Sequence, residues 1–150
     1  MLQNKIKALS FIAILSIIVS CSKEQALINK IEGIYKIEKV VSLVDGEESL
    51  LPYINSTMFF GECKLKDQMV QLCAGYYEVE GYDRITFDYR PEKDGGKETM
   101  FINVYDSGKK PYFGGPYMIE DRTDNSLTLS RYDYDANMDK VYNLRIFLKR

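Results

Sequence analysis

From residue 34 onward the chain alternates apolar and polar positions in short runs, the period of two that a half-buried β-strand needs. Residues 84–89 show it most cleanly: Ile85, Phe87 and Tyr89 share one face while Arg84, Thr86 and Asp88 share the other. Residues 34–44 set Tyr35, Ile37, Val41 and Leu43 on one face, interrupted at Lys39. Residues 57–65 and 69–79 form two arms of a hairpin about Asp67 and Gln68, and residues 99–105 align Met100, Ile102 and Val104. Two short strands follow at 117–119 and 127–132, and Tyr142, Leu144, Ile146 and Leu148 mark a last one. Turn residues at 80–81, 91–97, 106–116 and 121–126 separate these runs. The longest of them, 106–116, reads as a rim loop with Tyr112 and Phe113 available to fold inward.

No 3.6-residue period is sustained long enough for a major helix, so the chain reads as all-β, with about eight mainly antiparallel strands. Such strands dispose of their edges by closing into a small up-and-down barrel or by stacking as a two-sheet sandwich. Residues 34–150 are expected to form a single β domain, large enough to bury a core without a metal or a dense disulfide framework.

Ahead of this domain the pattern changes. Residues 1–7 carry Lys5 and Lys7 without an acid, and 8–19 are apolar apart from Ser10 and Ser16. A membrane-spanning helix needs about 20 apolar residues, so residues 1–20 read as an export signal. The stretch ends in Ile18-Val19-Ser20-Cys21, which resembles the lipobox of bacterial lipoprotein precursors. That resemblance implies diacylglycerol on the Cys21 thiol, cleavage just before it and acylation of the new amine, giving a lipid anchor in a bilayer. Residues 21–33 would then be the lipidated N-terminus and a short polar tether. Ser22 resembles the non-aspartate residue that favours outer-membrane sorting, which places the protein in the cell envelope and leaves periplasmic and surface display both open.

The chain from Cys21 onward also resembles the lipocalin-like lipoproteins of Bacteroidetes-type bacteria. The likeness rests on the lipobox, the polar leader, a first strand opening as Ile31-Glu32-Gly33-Ile34-Tyr35-Lys36, a cysteine pair in neighbouring strands and a final aromatic-aliphatic strand. It implies an up-and-down, lipocalin-like barrel around a small cavity, and it transmits no ligand.

Composition narrows the chemistry. With 20 basic against 22 acidic residues, dispersed along the chain, there is no nucleic-acid footprint. The absence of histidine removes His-based triads, His acid-base catalysis and His metal ligands. Cys63 and Cys73 face each other across the hairpin if positions summing to 136 are paired, with Gly61 opposite Gly75 and Phe59 opposite Tyr77. In an oxidising compartment they form a disulfide, the alternative being two separately buried thiols. Twelve tyrosines and no tryptophan leave two readings open, ordinary strand composition or a ring-lined cavity and rim. For the second reading the candidate ligand-binding residues are Tyr77, Phe87, Tyr112 and Phe113.

Asp133, Asp135, Asn137 and Asp139 alternate as oxygen ligands for a hard cation would, but Met138 and Leu144 stand where an EF-hand loop needs glycine and the closing glutamate. The stretch reads as an acidic hairpin turn, so no metal and no cofactor is expected. Carboxylates abound without a segment that marks a substrate cleft, which argues against an enzyme. The function expected is a membrane-anchored envelope binding protein for a small apolar or amphipathic ligand. The alternative is a protein-interaction or inhibitor lipoprotein of the envelope.

Overall fold

The computed structural model describes residues 23–44, 47–53, 55–65, 72–135 and 140–150. Among the described residues a helix, α1 (23–31), precedes nine strands. These are β1 (Gly33–Val44), β2 (Glu47–Leu51), β3 (Ser56–Phe60), β4 (Cys73–Glu78), β5 (Ile85–Asp94), β6 (Lys97–Val104), β7 (Gly115–Arg122), β8 (Ser126–Asp135) and β9 (Lys140–Lys149). Every pairing is antiparallel, and the sheet runs in the order β1-β3-β4-β5-β6-β7-β8-β9 before β9 returns to β1. β3 lies along the first half of β1 and β2 along the second, so the two together make one broken stave of an eight-stave ring. The ladder from Lys36↔Lys149 to Leu43↔Asn143 closes the barrel and excludes the two-sheet sandwich.

Period-two alternation decides which side chains enter the barrel. Ile85, Phe87 and Tyr89 are buried, as are Met100, Ile102 and Val104. In β1 the expected face holds only as far as Ile37. A bulge between Ile37 and Lys39 shifts the register against β9 and turns Val40, in place of Val41, into the core.

Residues 91–97 are not the loop the sequence suggested. β5 continues through Pro91 to Asp94, and only Gly95 and Gly96 turn the chain, both with positive φ, into Lys97. Pro91 lies past the last β4–β5 pair, Cys73↔Tyr89, so its missing N–H costs no rung of that ladder.

The β3–β4 register also differs from expectation, by one residue. Met58 pairs with Tyr77, Phe59 with Tyr76 and Phe60 with Gly75. The expected pairing set outward Phe59 against inward Tyr77, which the alternation of faces forbids. The observed one puts Met58, Phe60 and Tyr77 inside together. Gly75 makes room for this: a Cβ there would lie 2.5 Å from both the Phe87 ring and the Phe59 carbonyl oxygen. The chain leaves the ladder after Gly61, whose N–H donates to Ala74, and Cys63 then reaches Cys73 in a disulfide with the Cα atoms 5.4 Å apart. The hairpin tip about Asp67 and Gln68 lies outside the described residues.

Where a polar tether was expected, residues 23–31 form a helix. Leu27, Ile28 and Ile31 fall on one helical face and are buried against the end of the barrel. Gln25 fastens its first turn: the side-chain nitrogen donates to the Cys63 carbonyl at 2.9 Å and the oxygen accepts the Leu65 N–H at 2.8 Å. At the far side of the same end, Arg150 donates to the Lys30 and Glu32 carbonyls and lies over the Tyr35 ring. The β5–β6 and β7–β8 turns share this α1 end, while the β4–β5 turn and the 105–114 connection lie at the opposite mouth. No described helix is long and apolar enough to cross a membrane.

Candidate functional site

Aromatic side chains of the described residues pack against one another in the barrel interior. Phe60 sits at the centre, with ring centroids 5.9 Å from Tyr35, 5.8 Å from Phe87 and 5.2 Å from Tyr89. The Tyr89 hydroxyl donates to the Gly61 carbonyl at 2.7 Å, and burial pushes this phenol well above its ordinary pKa.

Opposite α1, the 105–114 connection folds inward and stoppers the second mouth. Phe113 is buried, tilted against Tyr77 at 4.9 Å and edge-on to Tyr53 at 5.5 Å. Tyr77 holds this strap from below: its hydroxyl donates to the Pro111 carbonyl at 2.8 Å and accepts the Phe113 N–H at 3.4 Å. Burial raises the Tyr77 pKa to about 12 against the opposing hydrogen bond from Phe113. The Tyr117 hydroxyl donates to the Phe113 carbonyl, and Arg131 donates to that of Gly114.

Three of the four residues expected to bind a ligand are thereby brought together. Tyr77, Phe87 and Phe113 pack on one another as core, with Tyr77 stacked on Phe87 at 6.0 Å. Tyr112, the fourth, turns outward and is 40% exposed. Of the acidic tetrad, Asp133 and Asp135 fall at the end of β8, while Asn137 and Asp139 lie outside the described residues. Cys21 and the signal stretch also lie outside them. Among the described residues no group of three or more His, Cys, Asp or Glu is placed to hold a metal ion.

A concavity lies on the outer flank, across β5, β6, β7 and β8. It is a cleft of about 580 Å³ whose apolar walls are Leu72, Phe101, Pro116 and Met118. The strand registers build it. Phe101 pairs with Pro116 and Thr99 with Met118, so these four outward positions form a block on adjacent strands. Arg90, opposite Phe101, bonds to Glu92 at 3.0 Å on one wall, and Ser130, opposite Met118, is buried beneath the other. Phe101 is 50% exposed and Met118 40%, and Pro116 beside them is exposed as well, whereas Met100, Ile102 and Tyr117 are buried.

A second hollow of about 440 Å³, lined by Gly96, Lys97, Glu98, Met118, Ile119 and Glu120, continues the first toward the α1 end. It exists because β6–β7 pairing stops at Thr99↔Met118 and β7 bulges between Ile119 and Asp121. Glu98 bridges the gap, bonded to Lys93 at 2.9 Å and to Arg122 at 3.1 Å. Burial works against its ionisation, but these two cations outweigh that and hold the carboxyl below its usual pKa.

Sequence reading missed this cleft, although a signal was present. Met100-Phe101-Ile102 and Tyr117-Met118-Ile119 are unbroken apolar triplets. On a strand, three consecutive apolar residues make both faces apolar, and one face here looks to solvent. Comparison with protein-family models, with curated proteins and with solved structures found no match. An eight-stave barrel of this kind is an architecture compatible with holding a small molecule or a partner protein.

Proposed function

We propose that the protein is a binding protein of the cell envelope, anchored through an acylated Cys21 to the outer membrane, that holds a small apolar or amphipathic ligand in its flank cleft. The observation that carries this reading is the cleft of Leu72, Phe101, Pro116 and Met118 on the outer flank. Its volume falls within the roughly 300–1,000 Å³ of small-molecule sites, and its makeup is theirs: apolar walls with a few polar groups, here Arg90, Glu92 and Thr99. The lipobox-like Ile18-Val19-Ser20-Cys21 supports the anchor.

The test is native mass spectrometry of the full chain, released gently from envelopes, against the F101A/M118A double variant. A bound small molecule on the parent that is lost from the variant is the expected result. A parent that carries nothing, and gains nothing when offered fatty acids or hydrophobic dyes, overturns the reading.

A second reading rests on a separate observation. Tyr82, Tyr105, Tyr112 and Leu50 are all exposed toward the strap mouth, Tyr105 and Leu50 at 70% and 69%. Exposed tyrosines are strong anchors at protein interfaces, and this rim suits a protein partner. Of the three aromatic residues at 112, 113 and 117, Phe113 and Tyr117 are buried and Tyr112 is exposed. Crosslinking through Tyr112 that returns one reproducible envelope protein would favour this reading over the first.

A further inference from the structure

We infer that the α1 end of the barrel faces the bilayer and that the flank cleft is filled from that bilayer by a lipid acyl chain. The inference rests on the anchored-binder reading above and deepens it, because it fixes both the class of ligand and its source. Two separate placements carry it.

The first is the length of chain between anchor and barrel. Cys21 lies two positions before residue 23, the first described residue of α1. Two residues span at most about 7 Å. α1 is no free tether: Leu27, Ile28 and Ile31 are buried in the barrel end, and Gln25 is bonded to Cys63 and Leu65. An acyl chain on Cys21 therefore holds the α1 end against the lipid surface and leaves the strap mouth pointing away.

The second is where the cleft opens. Gln25 sets the start of α1 beside the loop that follows β3, and the same connection ends at Leu72, a wall of the cleft. Of the remaining walls, Arg90, Glu92 and Thr99 belong to the α1-side halves of their strands, while Phe101 lies at mid-strand and Pro116 and Met118 in the half of β7 nearer the strap. Thr99 lies two residues from the start of β6, and Glu92 two from the end of β5. Below Met118 the second hollow runs on to Gly96, at the β5–β6 turn, which is itself at the α1 end. A groove thus leads up the flank from the edge that the anchor presses toward lipid, with Lys97, Glu98 and Glu120 along its first part and apolar walls above. Its first part passes the paired charges of Glu98, Lys93 and Arg122, and its upper part meets Phe101, Pro116 and Met118. A lipid chain climbing this path passes ion pairs near the headgroups and then reaches an apolar wall.

The chain has no tryptophan, so a single introduced one reports alone. The full chain is produced with its anchor, the acylated Cys21 is established by mass, and F101W and Y112W are each reconstituted into phosphatidylcholine vesicles carrying brominated acyl chains. Bromine quenches tryptophan only at close range. F101W emission is expected to fall at least twofold relative to non-brominated vesicles, with Y112W at the far mouth unchanged. A third arm adds 11-bromoundecanoate from solution to F101W in non-brominated vesicles.

Quenching by the soluble acid but not by the brominated bilayer overturns the bilayer source while leaving the cleft as a ligand site. Quenching by neither overturns the cleft reading as well. Stronger quenching of Y112W than of F101W reverses the orientation and overturns the inference, as does a Cys21 without acyl chains.

Discussion

The Tyr77 hydroxyl reaches across the barrel mouth to the carbonyl oxygen of Pro111, 34 residues along the chain, and donates to it at 2.8 Å. Both partners are buried, and the Tyr77 phenol oxygen accepts the Phe113 N–H, so one phenol secures two points of the strap. Removing the hydroxyl leaves a buried carbonyl and a buried amide without it, which costs about 1–3 kcal/mol. Y77F is expected to lose stability in that range in urea unfolding. Its Phe113 amide is expected to exchange hydrogen faster, while amides in β8 and β9 exchange no faster than the stability loss requires.

The same phenol makes the fold sensitive to alkali. Tyr77 titrates near 12 in the folded chain against an ordinary value of 10.0. A raised folded pKa gives stability that is complete below the unfolded pKa and is lost as pH rises through the folded one. Between about pH 10 and 12 the loss approaches 3 kcal/mol from this group alone, at about 1.4 kcal/mol per unit. Urea midpoints measured from pH 8 to 12 should fall in the parent and fall less steeply in Y77F, with Tyr35 and Tyr89 supplying the slope that remains.

Gly75 is the position where a single methyl group does most harm. Its Cβ would meet the Phe59 carbonyl oxygen and the Phe87 ring at 2.5 Å, and the backbone oxygen has no rotamer by which to yield. G75A is expected to cost about 3 kcal/mol, the upper end for overpacking. In thermal unfolding this appears as a fall in Tm of roughly 10 °C.

The Cys63–Cys73 bridge and Gln25 hold one corner between them, since Gln25 bonds to the carbonyl of Cys63 itself. Reducing the bridge, which closes a short loop, is expected to lower stability by about 3 kcal/mol. It also loosens α1, read as faster amide exchange over residues 27–32. Q25A should loosen the same amides with the disulfide intact, whereas the β8–β9 ladder keeps its protection in both.

Much of the architecture was legible because alternation is a local property. Arg84-Ile85-Thr86-Phe87-Asp88-Tyr89 announces a strand and its buried face without reference to any other segment. What escaped was set by neighbours. The bulge after Ile37 is imposed by β9, more than a hundred residues away, and exchanges Val41 for Val40 in the core. The β3–β4 register followed from pairing the cysteines squarely, whereas they lie beyond the ladder and bridge after it has ended. The aromatic cluster was read as a candidate cavity lining because sequence does not reveal how many rings will compete for one interior. Tyr77, Phe87 and Phe113 are buried in it as packed core, and an open apolar surface lies on the side where Phe101 and Met118 break the alternation.

β1 is the strand on which the ring depends: it pairs with β2 and β3 on one edge and with β9 on the other. Every other junction of the barrel joins segments near in sequence, but this one joins residues 36–43 to 143–149. Contacts so distant along the chain form late, because a long loop must be closed before they return any energy. A chain synthesised from its N-terminus therefore emerges as a growing curved sheet with β1 open along one edge. It becomes a barrel only when the last strand arrives to lock the first.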